Sequence, residues 1–230
     1  MATAQKNEQQ GFNEKLHEFM QKYRRVILFG FLGIVVVLFA LVVGISLRDR
    51  AQARALSQVD ELNRRYEEIK VFLQSEEPLD AANQTELSAL LEELDSFTDR
   101  GSGFPAARAY NIIASIHWDQ EDWAEAEIAW SASARAASRS YLAPVSFFNA
   151  AVAAEEQGNA ESAIALYNEA LEHGDSFPAA ARAQFSVGRL YESLHNRDAA
   201  LEAYRILLGR WPNDPVWSNL AQNRILILSE

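Results

Sequence analysis

The longest apolar run of the chain lies near its amino end. Val26 to Leu47 reads VILFGFLGIVVVLFALVVGISL, 22 residues without a charge. At a rise of about 1.5 Å per residue, such a helix crosses a hydrocarbon core of roughly 30 Å. Arg24, Arg25 and Arg48 bracket the run, and Tyr23 stands at its edge as an interfacial aromatic would. The pattern predicts a transmembrane helix over 26–47, preceded by a short hydrophilic segment over 1–25. A cleaved signal peptide is the rival reading, since Gly44 and Ser46 have cleavage-site spacing. The apolar run exceeds the ~7–15 residues of such a peptide and follows a 25-residue polar leader, so an uncleaved anchor fits better. Within the leader, residues 1–14 read as disordered and 15–25 as an extension of the membrane helix.

Beyond Leu47 the apolar positions thin out and become periodic. Val59, Leu62, Tyr66, Ile69 and Leu73 follow spacings of three and four, a helical seam. It suits either a two-stranded coiled coil or packing within the chain, and its shortness favours the second. Glu76, Glu77 and Pro78 end this helix. A second helix is predicted near Asn83 to Phe97, with Leu87, Leu90, Leu91, Leu94 and Phe97 on one stripe, before the GSG at 101–103. Residues 48–103 thus form a helical neck and an amino-terminal helix pair.

From Phe104 onward the chain repeats. Ala114, Ala151 and Gly188 are spaced by 37 residues, as are Ala126, Ala163 and Ala200, and Trp130, Tyr167 and Tyr204. A fixed period of this size signals stacked helical hairpins. A small residue where two helices cross lets their backbones approach. The aromatic one turn later is expected to fill the wedge toward the next unit. Three repeats over 104–214 are followed by a capping helix over 215–230, which is expected to turn Val216, Leu220 and Ile225 toward the last unit. The fold class is therefore all-α: one amino-terminal transmembrane helix, then a solenoid of helical hairpins.

Composition narrows the function. Cys is zero, which removes a disulfide framework, a thiolate metal site and a Cys nucleophile. Only three Thr in the whole chain, and 26 Ala between positions 101 and 200, favour close-packed helices over strands. The net charge of −11 divides unevenly: residues 1–48 hold six Lys/Arg against three Glu, and the remainder 15 against 29 acidic residues. An acidic body argues against nucleic acid as a partner. His17, His117, His173 and His195 lack metal-ligand spacing, and no phosphate loop or nucleophile elbow occurs. No enzyme, cofactor or metal is expected.

The repeat resembles the tetratricopeptide repeat. In SVGRLYESLHNRDAALEAYRILLGRWP, Val187, Gly188, Tyr191, Ala200, Tyr204 and Pro212 occupy the family's signature positions. The second unit keeps Ala151, Gly158, Ala163, Tyr167 and Ala170; the first keeps Ile113, Ala114, Ala126 and Trp130, with His117 where Tyr is usual. The units are three residues longer than the family's 34. The extra residues fall near Tyr141–Ala143 and Pro178–Ala180 and are expected to lengthen each first helix by about a turn. The resemblance implies a peptide groove along the first helices. Its lining would include Arg108, Asn111, Ser115 and Trp118 in unit one. Val145, Phe148, Val152 and Glu155 would follow in unit two, and Arg182, Phe185, Arg189 and Glu192 in unit three. Phe148 and Phe185 stand one period apart and suit either a groove or packing against neighbouring helices.

The whole layout is similar to the bacterial inner-membrane tetratricopeptide-like proteins that serve as ancillary subunits of the SecYEG translocon. That similarity implies a membrane-tethered adaptor with an exported, periplasmic body. Its partners would be translocon subunits and periplasmic chaperones, with a homodimer through the anchor or neck also open. A structural scaffold for envelope assembly or cell division, or a cytoplasm-facing adaptor, are the alternatives.

Overall fold

The computed structural model describes residues 2–75, 78–174 and 177–230, and the side chains of these except 2–21, 26, 27, 30 and 34. Nine α-helices, and no strand, occur among the described residues. They divide into two compact units, residues 1–54 and 55–230.

The first unit is the leading part of α1, which runs Ala2–Leu73. The leader is helical from Ala2, in place of the disorder expected over 1–14. Ala, Gln, Glu and Lys are strong helix formers, and a helix already nucleated extends through them at little cost. The described side chains of the apolar run 26–47 are exposed throughout, Phe39 by 70% for example. Those of Val26, Ile27, Gly30 and Ile34 lie outside the described residues. The most apolar window of α1 has a mean hydropathy of 2.6, and none of the described residues there is buried. Such a helix is suited to span a membrane or to act as a signal sequence.

The second unit begins with the last turns of α1. Val59, Leu62, Tyr66 and Ile69 are buried in the main core, with Leu73 against it. The seam therefore packs within the chain, and the two-stranded coil is not available to it. The predicted break at Glu76 and Glu77 lies outside the described residues. Helix α2 (Ala81–Arg100) starts where the Asp80 carboxylate accepts the Asn83 N–H at 2.7 Å. It buries Leu87, Leu90, Leu94 and Phe97, as the stripe predicts.

Three hairpins follow: α3 (Gly103–Asp119) with α4 (Trp123–Ala136), α5 (Leu142–Glu156) with α6 (Ala160–Leu171), and α7 (Ala180–Ser193) with α8 (Arg197–Arg210). Each turn inside a hairpin places one residue in the left-handed region: Glu121 at φ 60°, Gly158 at 74° and His195 at 57°. These positions are again 37 apart. The next residue caps the second helix in units two and three, where Asn159 and Asn196 side chains accept the N–H of Ser162 and Ala199. The expected lengthening of the first helices holds in two units: α3 and α5, with 17 and 15 residues, are each three longer than their partners α4 and α6. It does not hold in the third, where α7 has 14 residues like its partner α8.

The small residues at the crossings, Ala114, Ala151, Ala126, Ala163 and Ala200, are wholly buried. The aromatic does something other than fill the gap between units. Tyr204 lies across Gly188 of its own hairpin, where an added Cβ would stand 2.5 Å from the ring. Gly is thus required by close approach. Helix α9 (Trp217–Ser229) closes the stack, begun by Asp214, whose carboxylate accepts the Val216 and Trp217 N–H groups at 3.0 and 2.8 Å. Ser218 and Ala221 are its buried residues, and Trp217 and Ile225 pack on the last hairpin. Val216 and Leu220 are 53% and 41% exposed, contrary to the predicted phase. The phase is fixed instead by Trp217, whose ring packs at 5.4 Å on Phe185.

Candidate functional site

The groove positions sit on α3, α5 and α7, whose ends are set by the hairpin turns and whose close packing on their partners is set by the Ala and Gly crossings. Unit one's share of the surface is already occupied by its own chain. Asp60 of α1 accepts a hydrogen bond from the Arg108 guanidinium at 2.6 Å. The Tyr66 hydroxyl donates to Asp119 at 2.6 Å, and the Gln74 amide donates to the same carboxylate at 3.1 Å. Residues 60–74 therefore line α3 from Arg108 to Asp119. Burial, and next the bond to Asp119, push the Tyr66 phenol above its ordinary pKa, so it remains a neutral donor.

Asn111 turns inward. Its amide donates to Ser146 at 3.3 Å, and Ser146 contacts Ser133 at 2.9 Å. Ser133 in turn donates to the Ala107 carbonyl at 2.7 Å. The bonds supply partners for three polar side chains in an otherwise apolar crossing. Trp118 forms an aromatic cluster, with ring centroids 4.6 Å from Trp123 and 5.5 Å from Trp130. Val152 is half-buried against the same core.

Phe148 is only 8% exposed. Its ring meets Tyr167 at 5.2 Å and Phe177 at 5.9 Å, and the Arg182 guanidinium lies 5.1 Å over it. Packing, the second of the two roles open to this residue, is therefore what its surroundings provide. Phe185 is half-buried and repeats the arrangement, with Tyr204 and Trp217 each at 5.4 Å.

The charged groove residues come in sets. Glu155 accepts the Tyr167 hydroxyl at 2.7 Å and pairs with Arg189 of the next first helix. One unit on, Glu192 accepts the Tyr204 hydroxyl at 2.5 Å and pairs with Arg224 of α9, whose Nε donates at 3.0 Å. The hydrogen bond from Arg224 holds the Glu192 carboxyl below the usual carboxylate range, outweighing its partial burial. Burial first, and then the carboxylate bond, raise both tyrosines above the ordinary phenol value. Each set joins three elements: a second helix, its own first helix, and the first helix that follows.

Arg224 was the member that spacing did not reveal. It stands 35 residues after Arg189, so the period breaks by two at the last connection. The 37-residue recurrence of Glu155 with Glu192, and of Tyr167 with Tyr204, is the signal that could have exposed the sets. Arg108, Arg182 and Arg189 are each engaged within the chain, so this surface is not a cluster of uncommitted cations. Among the described side chains no group of three His, Asp or Glu has metal-binding geometry, and the His17 side chain lies outside them.

The tetratricopeptide repeat family profile matches residues 148–215, from α5 to just past α8. A curated relative described as a TPR repeat-containing protein, from Treponema pallidum (strain Nichols), is 38% identical over 148 residues. The match covers 64% of this chain and 61% of the relative, so the chain spans about three fifths of the relative's length. The repeat register, the stacked hairpins and both similarities support a tetratricopeptide-repeat protein.

Proposed function

We propose that this chain is a membrane-anchored adaptor that binds protein partners through its first-helix surface. The observation that carries the reading is the union, on one chain, of an apolar helix whose described side chains are exposed and a stack of helical repeats. An exposed uncharged helix of this length is stable in lipid and costly in water. Tethering raises local concentration, so even a weak surface is occupied beside a membrane partner.

The surface open to a partner lies past the part covered by α1. It comprises Val145, Val152, Arg182, Phe185 and Arg189, with Phe148 as its floor. Because Arg189 already faces Glu155, an acidic tail would gain little there. An extended apolar peptide or the apolar face of a helix suits the mixture better. The site is the inner membrane of a bacterium with an exported body, and the partners are translocon subunits and periplasmic chaperones; this rests on the similarity of layout alone. A scaffold for envelope assembly is the second reading.

The test is a carbonate wash of membranes followed by mild-detergent pull-down and mass spectrometry. Full-length chain in the pellet with translocon subunits supports the proposal. Recovery in the wash supernatant removes the anchor, and cell-wall machinery in place of translocon subunits supports the scaffold. Val145→Glu, at an exposed position of this surface, should weaken partner recovery while leaving the melting temperature nearly unchanged.

A further inference from the structure

The second helices α4 and α6 leave a cleft of about 370 Å³ between them, separate from the first-helix surface. Its lining runs in three levels along the two helices. At the first, the Ser162 hydroxyl donates to Glu127 at 2.6 Å and ties the helices together. The Gln157 amide donates to the other oxygen of the same carboxylate at 2.7 Å. Ser131 and Leu166 stand one turn on, and a further turn brings Arg135 and Glu169 to the far end. Ile128 and Ala165 complete the walls.

Two observations mark this cleft as a site. Ser131 is only 6% exposed, yet its hydroxyl has no hydrogen-bond partner among the described residues. Ser88, Ser115 and Ser229 turn theirs back to the carbonyl four residues earlier, the usual resolution inside a helix. Ser131 does not, and the cleft is where its side chain opens. A buried hydroxyl left unpaired calls for a partner. The charges are the second observation. Glu127 is held by neutral donors alone, and Arg135 and Glu169, at one end of the cleft, pair neither with each other nor with any other described residue.

These groups define a ligand by complementarity. Two carboxylates and one guanidinium call for two cations and one anion. The anion belongs at the Arg135 end, with one cation beside it at Glu169. The second cation belongs at Glu127, where each carboxylate oxygen can accept a further bond. Glu127 and Arg135 are eight residues apart on α4, about 12 Å along the axis. An apolar stem must cross that span over Leu166 and Ile128. The α-carboxylate, α-ammonium and side-chain ammonium of lysine, on its four-carbon stem, have this order and reach. We infer that the α4–α6 cleft binds a free basic α-amino acid of the lysine class. Arg135 and Ser131 donate to its carboxylate, Glu169 accepts its α-ammonium, and Glu127 accepts its side-chain ammonium.

The test is isothermal titration calorimetry of the full-length chain in detergent micelles, at matched ionic strength, with L-lysine as the probe. Saturable binding is expected, with a dissociation constant on the order of 1 mM, as suits an open site held by a few charge-assisted contacts. Norleucine lacks the side-chain ammonium, Nα-acetyl-lysine the α-ammonium and cadaverine the carboxylate. Each should bind at least several-fold more weakly. Ala165→Leu fills the cleft from an exposed position and should abolish binding with the melting temperature nearly unchanged, and Arg135→Gln should do the same. Failure to saturate at tenfold that concentration overturns the inference, as does binding that survives both substitutions. Equal binding of norleucine or cadaverine also overturns it. Equal binding of Nα-acetyl-lysine would overturn it by assigning the cleft to a lysine side chain of a protein. The analogue series uses the unaltered chain, so it stands whatever the substitutions do to folding.

Discussion

Unit one and units two and three solve the same junction with opposite chemistry. At the positions 118, 130 and 152, unit one and its successor place Trp118, Trp130 and Val152. One period on, the same positions hold Glu155, Tyr167 and Arg189. The first junction is an aromatic cluster, with Trp118 and Trp130 at 5.5 Å. The second is a hydrogen-bonded ion pair, with Tyr167 to Glu155 at 2.7 Å. The Ala crossings beneath both are equally buried. The backbone register therefore depends on the small residues, and the junction chemistry is a second, exchangeable layer above them. The apolar version sits where α1 already covers the first helix.

The largest expected effect is on the apolar side of this comparison. Trp130→Ala should cost about 3–5 kcal/mol, as truncation of a buried aromatic does. The cost should be the same at pH 4 and pH 7, since no titrating group takes part in the Trp118–Trp130 contact. Urea unfolding at the two pH values measures it. A strongly pH-dependent cost would show that unit one hides a polar contact at this junction.

Next comes the polar side. Tyr204→Phe removes a hydrogen bond to a carboxylate and should cost about 1.5–3 kcal/mol at pH 7. Glu192 has a folded pKa depressed below its ordinary value of 4.5. Its stabilisation is therefore fully present above the unfolded value and is lost as pH falls through the folded one. The difference between wild type and the Phe variant should shrink in that window, and Glu192→Gln should flatten it. A constant difference down to pH 3 would separate Tyr204 from Glu192.

The layer common to both junctions is tested by bulk. Ala163→Leu and Ala200→Leu should each cost roughly 1–3 kcal/mol by overpacking a tight crossing. Ala165→Leu, on the exposed face of α6, should be nearly silent in the same denaturant titration. Ala160 is no substitute for it, because it is the first residue of α6 and touches the core.

The period and the Ala and Gly columns made the hairpins, their order and the crossing points legible from residue types alone. Packing direction was less so. Phe148 and Phe185 share a column with Asn111, so the alternation that separates core from surface could not be read across units. The α9 phase was only partly caught: Ile225 packs as expected, but Val216 and Leu220, as apolar as the residues that do pack, stay exposed. What decides between them is Trp217 meeting Phe185, a contact across 32 residues. The ion-pair sets were half visible, since Glu and Tyr recur at 37 while Arg224 does not.

The smallest expected effect concerns the hairpin turns, which all three units share. His195→Gly should stabilise by about 1 kcal/mol, because a side chain in the left-handed region is strained and glycine is not. Gly158→Ala should cost a similar amount. Thermal melts of the two variants should move in opposite directions, and a shift in the same direction would mean that His195 contributes a contact outweighing its strain.

The account rests on the two junction chemistries being alternatives on one scaffold, and a mutant cycle tests that most directly. Trp118→Glu is introduced alone, and again together with Trp130→Tyr and Val152→Arg, which rebuild in unit one the arrangement of Glu155, Tyr167 and Arg189. Stability is read from urea unfolding at pH 7. The account predicts that the cost of Trp118→Glu falls by about 1–2 kcal/mol when its new partners are present, a coupling typical of residues in one network. An identical cost in both backgrounds would contradict it.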